Sequence, residues 1–157
     1  MNDAPFEDLL PLTALQEDLL AHAELSAGGA DVYTGQRVLD VRGPLDVDRL
    51  GRAVQDLVQR HPTLRSGFWV DPEAAEGAQP VQFVLADATA RVDVRESTEE
   101  GFGDLAAAAA REPFCLDDPP LLRVLVARLA PEHHRVVLTS HHAVLDAWSV
   151  PLLLADL

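Results

Sequence analysis

Two adjacent histidines and an acid near the C-terminal end of the chain are the residues best suited to chemistry. His141 and His142 are followed by Asp146, four positions after the second imidazole. An imidazole can take or give a proton near neutral pH, since its unperturbed pKa is about 6.5. The carboxylate can turn back toward the histidines or anchor the loop through an arginine. This spacing indicates proton transfer; the alternative is an ordinary strand end with a buried, hydrogen-bonded histidine.

A predicted strand and a predicted helix position these residues. Residues 135–140 combine β-branched, apolar and polar side chains in a way that is typical of a strand. Residues 149–154 predict the start of a helix, with Ser149 as its N-cap and Pro151 in its first turn. Because neighbouring strand residues point to opposite faces, only one of the two histidines can face a given cavity. In α/β folds, ligand-binding and catalytic residues are often found at the ends of strands.

The rest of the chain alternates helices and strands. Helices are predicted over residues 11–25, 46–60 and 99–112, the first capped by Thr13, the second by Asp46 or Asp48 and the third by Thr98. Strands are predicted over residues 36–42, 68–70, 81–85, 91–95, 121–129 and 135–140, and loops over residues 26–30 and 71–79. This pattern predicts an α/β fold with a mixed β-sheet flanked by helices, in one domain spanning residues 1–157.

The last two predicted strands form an antiparallel hairpin whose tip carries His133 and His134. These side chains could be mistaken for metal ligands that act beside His141 and His142. A strand of six residues is about 20 Å long, which separates the tip of the hairpin from its base. We therefore expect no zinc site and no other metal site in this chain.

Composition restricts the classes of partner. The formal net charge is -14, and all twelve basic positions are arginine. Nucleic-acid phosphates and anionic membranes require a basic face, so neither is an expected partner. No apolar run approaches the ~20 residues of a membrane span, and the first residues lack the basic segment of a signal peptide. Cys115 is the single cysteine, which fits a reducing cytoplasm, and we expect an inert, buried thiol.

Four stretches of the chain resemble, in order, the motifs of the condensation domains of nonribosomal peptide synthetases. They are residues 10–20 (LPLTALQEDLL), 60–68 (RHPTLRSGF), 113–123 (PFCLDDPPLLR) and 141–149 (HHAVLDAWS). The last resembles the family's His-His-x-x-x-Asp-Gly signature, although Ala147 stands where the family usually has glycine. Alanine would be strained there if the backbone needs a positive φ. Together the four stretches span nearly the whole chain.

The resemblance implies a chloramphenicol-acetyltransferase-like fold, of which this chain is the N-terminal lobe without the C-terminal lobe. It implies amide-bond formation in secondary metabolism, including antibiotic biosynthesis. A carrier-bound acyl or peptidyl thioester is joined to the α-amine of a carrier-bound aminoacyl thioester. The expected partners are the upstream and downstream peptidyl carrier domains. Their phosphopantetheine arms hold both substrates, and no cofactor binds the chain directly.

The resemblance also assigns roles to the motif residues. His142 faces the cavity and takes the proton, His141 is buried and structural, and Asp146 pairs with Arg60 or Arg65. Trp148 and Ser149 complete the motif. Because one wall of the site is missing, we expect the 157-residue chain to be inactive alone and to self-associate through exposed apolar surface.

Two alternatives remain open at this stage. A condensation-like domain with an altered motif could recruit other proteins without catalysing a reaction, and Ala147 favours this possibility. An acyltransferase of the same superfamily could instead use soluble acyl-CoA. The opening stretch of residues 10–16 favours a synthetase over the CoA-dependent enzyme.

Overall fold

The computed structural model describes residues 5–25, 32–69 and 80–157, so the loops predicted over residues 26–30 and 71–79 lie outside the described residues. The strands are β1 (Phe6–Pro11), β2 (Thr34–Arg42), β3 (Ser66–Trp69), β4 (Val81–Leu85), β5 (Arg91–Glu96), β6 (Leu122–Ala130) and β7 (His133–His141). The helices are α1 (Ala14–Leu25), α2 (Val47–Arg60), α3 (Phe102–Arg111) and α4 (Ser149–Asp156), and Pro62–Arg65 form a 3-10 helix. No helix among these residues is long and apolar enough to cross a membrane.

A four-stranded mixed sheet carries the histidine pair. Its strand order is β2-β7-β6-β5, with β5 parallel to β6 and the other neighbours antiparallel. Strands β6 and β7 form the predicted hairpin, in which Val126 lies opposite Val136. Pro131 and Glu132 make its turn, at the far end of β7 from His141. The mixed sheet and the α/β class are therefore confirmed.

A second, antiparallel sheet of order β1-β4-β3 was not predicted. The predicted first helix was wrong in its start, because residues 6–11 form β1 and the helix begins only at Ala14. Strand β1 forms because its backbone pairs with β4, as in the pair Leu9 and Phe83. That partner lies about seventy positions away, so no local pattern reveals it. Helix α3 likewise begins later than predicted, because Thr98 Oγ1 accepts a hydrogen bond from the Gly101 N–H at 3.0 Å in a turn that precedes the helix.

Buried apolar side chains fix the loop that follows β7. Helix α2 buries Val54, Leu57 and Val58 on one face, and Leu50 is half-buried. One core cluster joins Leu57 and Val58 to the loop residues 143–145 and to α4. Full burial of one such side chain stabilises the fold by about 1.5–3 kcal/mol. The loop is therefore anchored immediately after His142.

Candidate active site

The two histidines at the end of β7 point in opposite directions. His141 is the last residue of the strand and pairs with Thr34 of β2. Its side chain is 1% exposed, whereas His142 is exposed. Strand alternation predicts this division, and the structure confirms the buried and exposed positions.

His141 lies in a closed aromatic environment. The rings of Tyr33 and Phe114 approach it edge-on, with centroid distances of 6.4 and 6.3 Å. Its Nδ1 accepts a hydrogen bond from the Ala143 N–H at 3.1 Å. Because an accepting nitrogen carries no proton, this contact fixes the neutral tautomer with the proton on Nε2. His141 thus holds the backbone of the loop and does not face solvent.

His142 presents one ring nitrogen to the open side. Its N–H donates to the Tyr33 carbonyl at 2.8 Å, and its Nδ1 lies 3.3 Å from the Leu145 carbonyl. A carbonyl only accepts, so Nδ1 carries a proton, and in the neutral ring the lone pair is therefore on Nε2. Within residues 5–25, 32–69 and 80–157, Nε2 has no hydrogen-bond partner. The ring is therefore oriented by the protein and is open at the nitrogen that could act as a base.

Gly35 on the neighbouring strand β2 is a site residue that the sequence analysis missed. A Cβ atom at this position would lie 3.2 Å from Cε1 and 3.4 Å from Nε2 of His142. Glycine therefore lets the backbone approach the exposed imidazole closely. The signal was present in the sequence, since a glycine inside a strand often marks such an approach, but the predicted strand began at residue 36.

Asp146 does not pair with an arginine, so the predicted ion pair with Arg60 or Arg65 was wrong. Its Oδ1 accepts a hydrogen bond from the Ser149 N–H at 2.7 Å. Its backbone carbonyl accepts from the Val150 N–H at 3.3 Å. Ser149 is therefore not the N-cap; the Asp146 carboxylate caps α4, because the unpaired N–H groups at a helix start are its nearest donors.

The two candidate arginines have other environments. Arg60 is exposed at the last position of α2. Arg65 is buried, where its guanidinium forms an ion pair with Glu7 at 2.5 Å and donates to the Leu85 carbonyl. A buried guanidinium needs such partners, and both come from the antiparallel sheet that the sequence did not reveal. Arg65 therefore stabilises that sheet and does not contact Asp146.

The capping role of Asp146 predicts a specific pH dependence. Hydrogen bonds from the Ser149 hydroxyl and N–H hold the pKa of the Asp146 carboxyl below its ordinary value. The unfolded pKa is about 3.9, so this carboxylate stabilises the fold above that pH and loses its effect as pH falls through the lower folded pKa. We expect the difference in thermal unfolding midpoint between wild type and Asp146→Asn to shrink from pH 7 to pH 3. A difference that stays constant over this range would contradict the assignment.

Ala147 adopts an ordinary backbone conformation. No non-glycine residue in the described part of the chain has a positive φ, so alanine in place of the family's glycine is not strained. The substitution adds only an exposed methyl group next to Asp146. Trp148 and Leu152 follow it one helical turn apart and are 87% and 71% exposed. The segment that follows Asp146 therefore presents exposed apolar side chains.

The other candidate ligands and nucleophiles lie elsewhere. His133 Nε2 contacts Asp40 Oδ2 at 2.9 Å, at the opposite end of β7 from His141. In the residues that the structure describes, no three His, Cys, Asp or Glu side chains are grouped to hold a metal ion. Cys115 is exposed, so its predicted burial was wrong; it lies in the loop before β6. A hydrogen bond with Asp117, followed by desolvation, raises the pKa of its thiol and disfavours the nucleophilic thiolate.

Comparison with known proteins identifies the family. The family model described as "Condensation domain" matches residues 6–157. A chondramide synthase of Chondromyces crocatus is 40% identical over 134 residues, which are 82% of this chain and 3% of that protein. The first condensation domain of the calcium-dependent antibiotic synthetase, solved with a substrate analogue, superposes with a TM-score of 0.84 at 22% identity; the match covers 97% of this chain and 38% of that one.

A third similarity is to a structure of the X-domain in complex with OxyB from teicoplanin biosynthesis. The TM-score is 0.81 at 24% identity, and the match covers 99% of this chain and 32% of the solved chain. At these identities the two solved structures show the shared fold. The family model covers nearly all of the chain, and the chain belongs to the condensation-domain family.

Proposed function

We propose that this chain is the N-terminal lobe of a condensation domain that joins two carrier-bound thioesters through an amide bond. The observation that carries the proposal is the orientation of His142. Its ring is held by Leu145, its Nε2 is open, and Gly35 keeps the neighbouring backbone close. A base that is fixed and exposed in this way suits proton transfer from an attacking amine.

The reaction proceeds by direct attack of the amine. The α-amine of the acceptor, with a pKa near 8, is partly unprotonated at neutral pH and attacks the donor thioester carbonyl. His142 Nε2 accepts the amine proton as the C–N bond forms. The protonated ring can stabilise the developing oxyanion and then deliver the proton to the pantetheine sulfur as the C–S bond breaks. No covalent acyl-enzyme is required, and much of the acceleration comes from holding the two arms end to end.

The remaining motif residues position the base. His141 holds the Ala143 N–H from inside the fold, and Asp146 caps the helix that follows the loop. Arg60 and Arg65 do not contact the reacting groups in this proposal. Both substrates arrive on the phosphopantetheine arms of upstream and downstream peptidyl carrier domains. We place the reaction in the cytoplasm, where the exposed Cys115 would stay reduced.

The opposite wall of the site belongs, in this proposal, to the C-terminal lobe. Trp148, which immediately precedes α4, and Leu152 of α4 are exposed and fit a surface that a second lobe covers. The 157-residue chain alone is therefore inactive and self-associates. Analytical ultracentrifugation of this chain tests the second statement, and a monomer at micromolar concentration would contradict it.

Reconstitution of the complete domain tests the proposed reaction. The domain is mixed with a donor carrier bearing an acyl-phosphopantetheine arm and an acceptor carrier bearing an aminoacyl arm. We expect an amide product on the acceptor carrier. A matched reaction supplies the same acyl group as soluble acyl-CoA, and we expect far less product from it. Efficient use of acyl-CoA without a donor carrier would instead identify a CoA-dependent acyltransferase.

A second candidate function is partner binding without catalysis. The X-domain of teicoplanin biosynthesis, which shares this fold, is solved in complex with OxyB. A domain of this architecture can therefore bind another protein. Binding of loaded carriers to the complete domain without product formation would favour this function. The unstrained backbone at Ala147 and the open nitrogen of His142 favour catalysis.

Gly35→Ala provides a separate test of the site geometry. The added methyl group would press on Cε1 and Nε2 of His142, and the exposed ring can move to relieve the contact. We expect a loss of about tenfold in the rate of amide formation by the complete domain, with little change in its unfolding midpoint. Gly51→Ala is a matched control, because a Cβ there meets no atom within 4 Å. A wild-type rate for Gly35→Ala would contradict the placement of the base.

A further inference from the structure

Gln16 connects the start of α1 to the loop that carries His142. Thr13 and Gln16 form a reciprocal cap: the Gln16 N–H donates to Thr13 Oγ1 at 3.3 Å, and the Thr13 N–H donates to Gln16 Oε1 at 2.9 Å. The Thr13 hydroxyl also donates to Gln16 Oε1 at 3.1 Å. Both acceptor positions of Gln16 Oε1 are therefore occupied by hydrogen bonds that cap α1.

The nitrogen side of the same amide reaches across to the active-site loop. Gln16 Nε2 donates to the Ala143 carbonyl at 3.3 Å and to Gln82 Oε1 at 3.0 Å. An amide has two donors and two acceptor positions, and all four are satisfied here. The orientation of the amide is also determined, because the Ala143 carbonyl can only accept and the Thr13 N–H can only donate.

The hydrogen bonds continue into the antiparallel sheet. Gln82 Nε2 donates to Ser66 Oγ at 2.9 Å, and the Ser66 hydroxyl donates to the Pro62 carbonyl at 3.2 Å. Donation runs outward from Gln16 Nε2: through Gln82 and Ser66 to the Pro62 carbonyl on one side, and to the Ala143 carbonyl on the other. Gln16 therefore couples the antiparallel sheet to the end of the mixed sheet.

Three successive peptide groups around His142 are held by hydrogen bonds. The His142 N–H binds the Tyr33 carbonyl, the Ala143 N–H binds His141 Nδ1, and the Ala143 carbonyl binds Gln16. The first two partners belong to β2 and β7 or their immediate ends. The third peptide is held at both ends: its Val144 N–H donates to the His141 carbonyl at 3.2 Å, and its Ala143 carbonyl accepts from Gln16, which lies in α1.

We propose that Gln16 is a positioning residue for the condensation reaction, which sets the direction of the His142 ring by holding the Ala143 carbonyl. The inference rests on the proposed role of His142. Without the bond from Gln16, the Ala143 carbonyl loses its donor, and this peptide keeps only the bond from the Val144 N–H to the His141 carbonyl. A tilt of the peptide shifts the Leu145 carbonyl that orients His142 Nδ1, because that carbonyl lies two residues further along the same loop.

Gln16→Glu separates this role from helix capping. Glutamate at this position preserves the reciprocal cap with Thr13 but has no N–H for Ala143 or Gln82. In the complete domain with loaded carriers, we expect kcat to fall about tenfold while KM for the acceptor carrier changes less than about twofold. The ring ¹⁵N signals of His142 should also shift, since its preferred tautomer depends on the Leu145 carbonyl.

Two matched variants report on the other contacts of Gln16. Thr13→Ala removes the hydroxyl of the cap and leaves both hydrogen bonds donated by Gln16 Nε2. Gln82→Met removes the bond from Gln16 Nε2 to Gln82 and leaves the bond to the Ala143 carbonyl. We expect both to keep kcat within about threefold of wild type. An equal loss of kcat in Gln82→Met would overturn the inference, because the effect would then come from the antiparallel sheet and not from the Ala143 contact.

His142→Ala, measured in parallel, distinguishes a failure of the proposed role of His142 from a failure of the positioning role of Gln16. If His142→Ala retains the wild-type rate, the proposed function of His142 fails and the inference fails with it. If His142→Ala is inactive while Gln16→Glu has wild-type kcat or unshifted His142 ring signals, the inference alone is overturned. Loss of kcat with shifted ring signals in Gln16→Glu, and neither change in the two matched variants, is the supporting outcome.

Discussion

Replacing His142 by alanine in the complete domain should lower the rate of amide formation by about 10²–10⁴-fold, the range that general acid–base catalysis contributes. The loss is expected because neither the adjacent histidine nor the histidine at the start of β7 can take over the role of His142. His141 is buried with its Nδ1 committed to Ala143, and His133 lies at the other end of β7. Single-turnover measurements with preloaded carriers isolate this step from carrier loading.

His133→Ala is the matched control for this experiment. It removes an imidazole from the same strand, where the ring forms a hydrogen bond with the exposed carboxylate of Asp40. We expect it to react at nearly the wild-type rate. A near-wild-type dipeptide yield from His142→Ala would show that the ring is not the proton acceptor. Equal losses in both variants would point to a general effect on folding.

Replacing His141 by leucine should destabilise the fold by about 2–6 kcal/mol. Leucine removes the acceptor of the buried Ala143 N–H, which costs about 1–3 kcal/mol. It also places a branched side chain between Tyr33 and Phe114, where overpacking costs about 1–3 kcal/mol. Thermal unfolding of the complete domain measures the effect, as a midpoint several degrees below that of wild type.

His141→Asn is the informative companion variant. Its Oδ1 can replace Nδ1 as the acceptor for the Ala143 N–H, although its side chain is smaller than an imidazole. We expect it to unfold at a higher temperature than His141→Leu. If the leucine variant is as stable as wild type, the hydrogen bond to the loop contributes little. The structural role assigned to His141 would then be wrong.

The hairpin and the opposed histidines were predictable because local rules govern them. Strands β6 and β7 are adjacent in the chain, and alternation along a strand sends His141 and His142 to opposite faces. The antiparallel sheet was not predictable in the same way. Strand β1 depends on a backbone partner that lies far along the chain, and its residues carry no alternating pattern that marks them as a strand.

The partner of Asp146 shows a different limit of sequence reasoning. An acid after a histidine pair suggested an arginine, and two arginines were available in the second motif. The backbone N–H groups at the start of α4 are closer to the carboxylate and need an acceptor, so they take that place. Gly35 and Gln16 were missed because their contacts with the loop, to His142 and Ala143, depend on how separate elements come together.

The most direct test of the account is a crystal structure of the complete domain with a stable amine-bearing pantetheine analogue of the acceptor. If His142 accepts the amine proton, the amine nitrogen lies within about 3.2 Å of His142 Nε2, with Nδ1 still bound to the Leu145 carbonyl. An amine bound elsewhere, with His142 Nε2 facing only solvent, would contradict it.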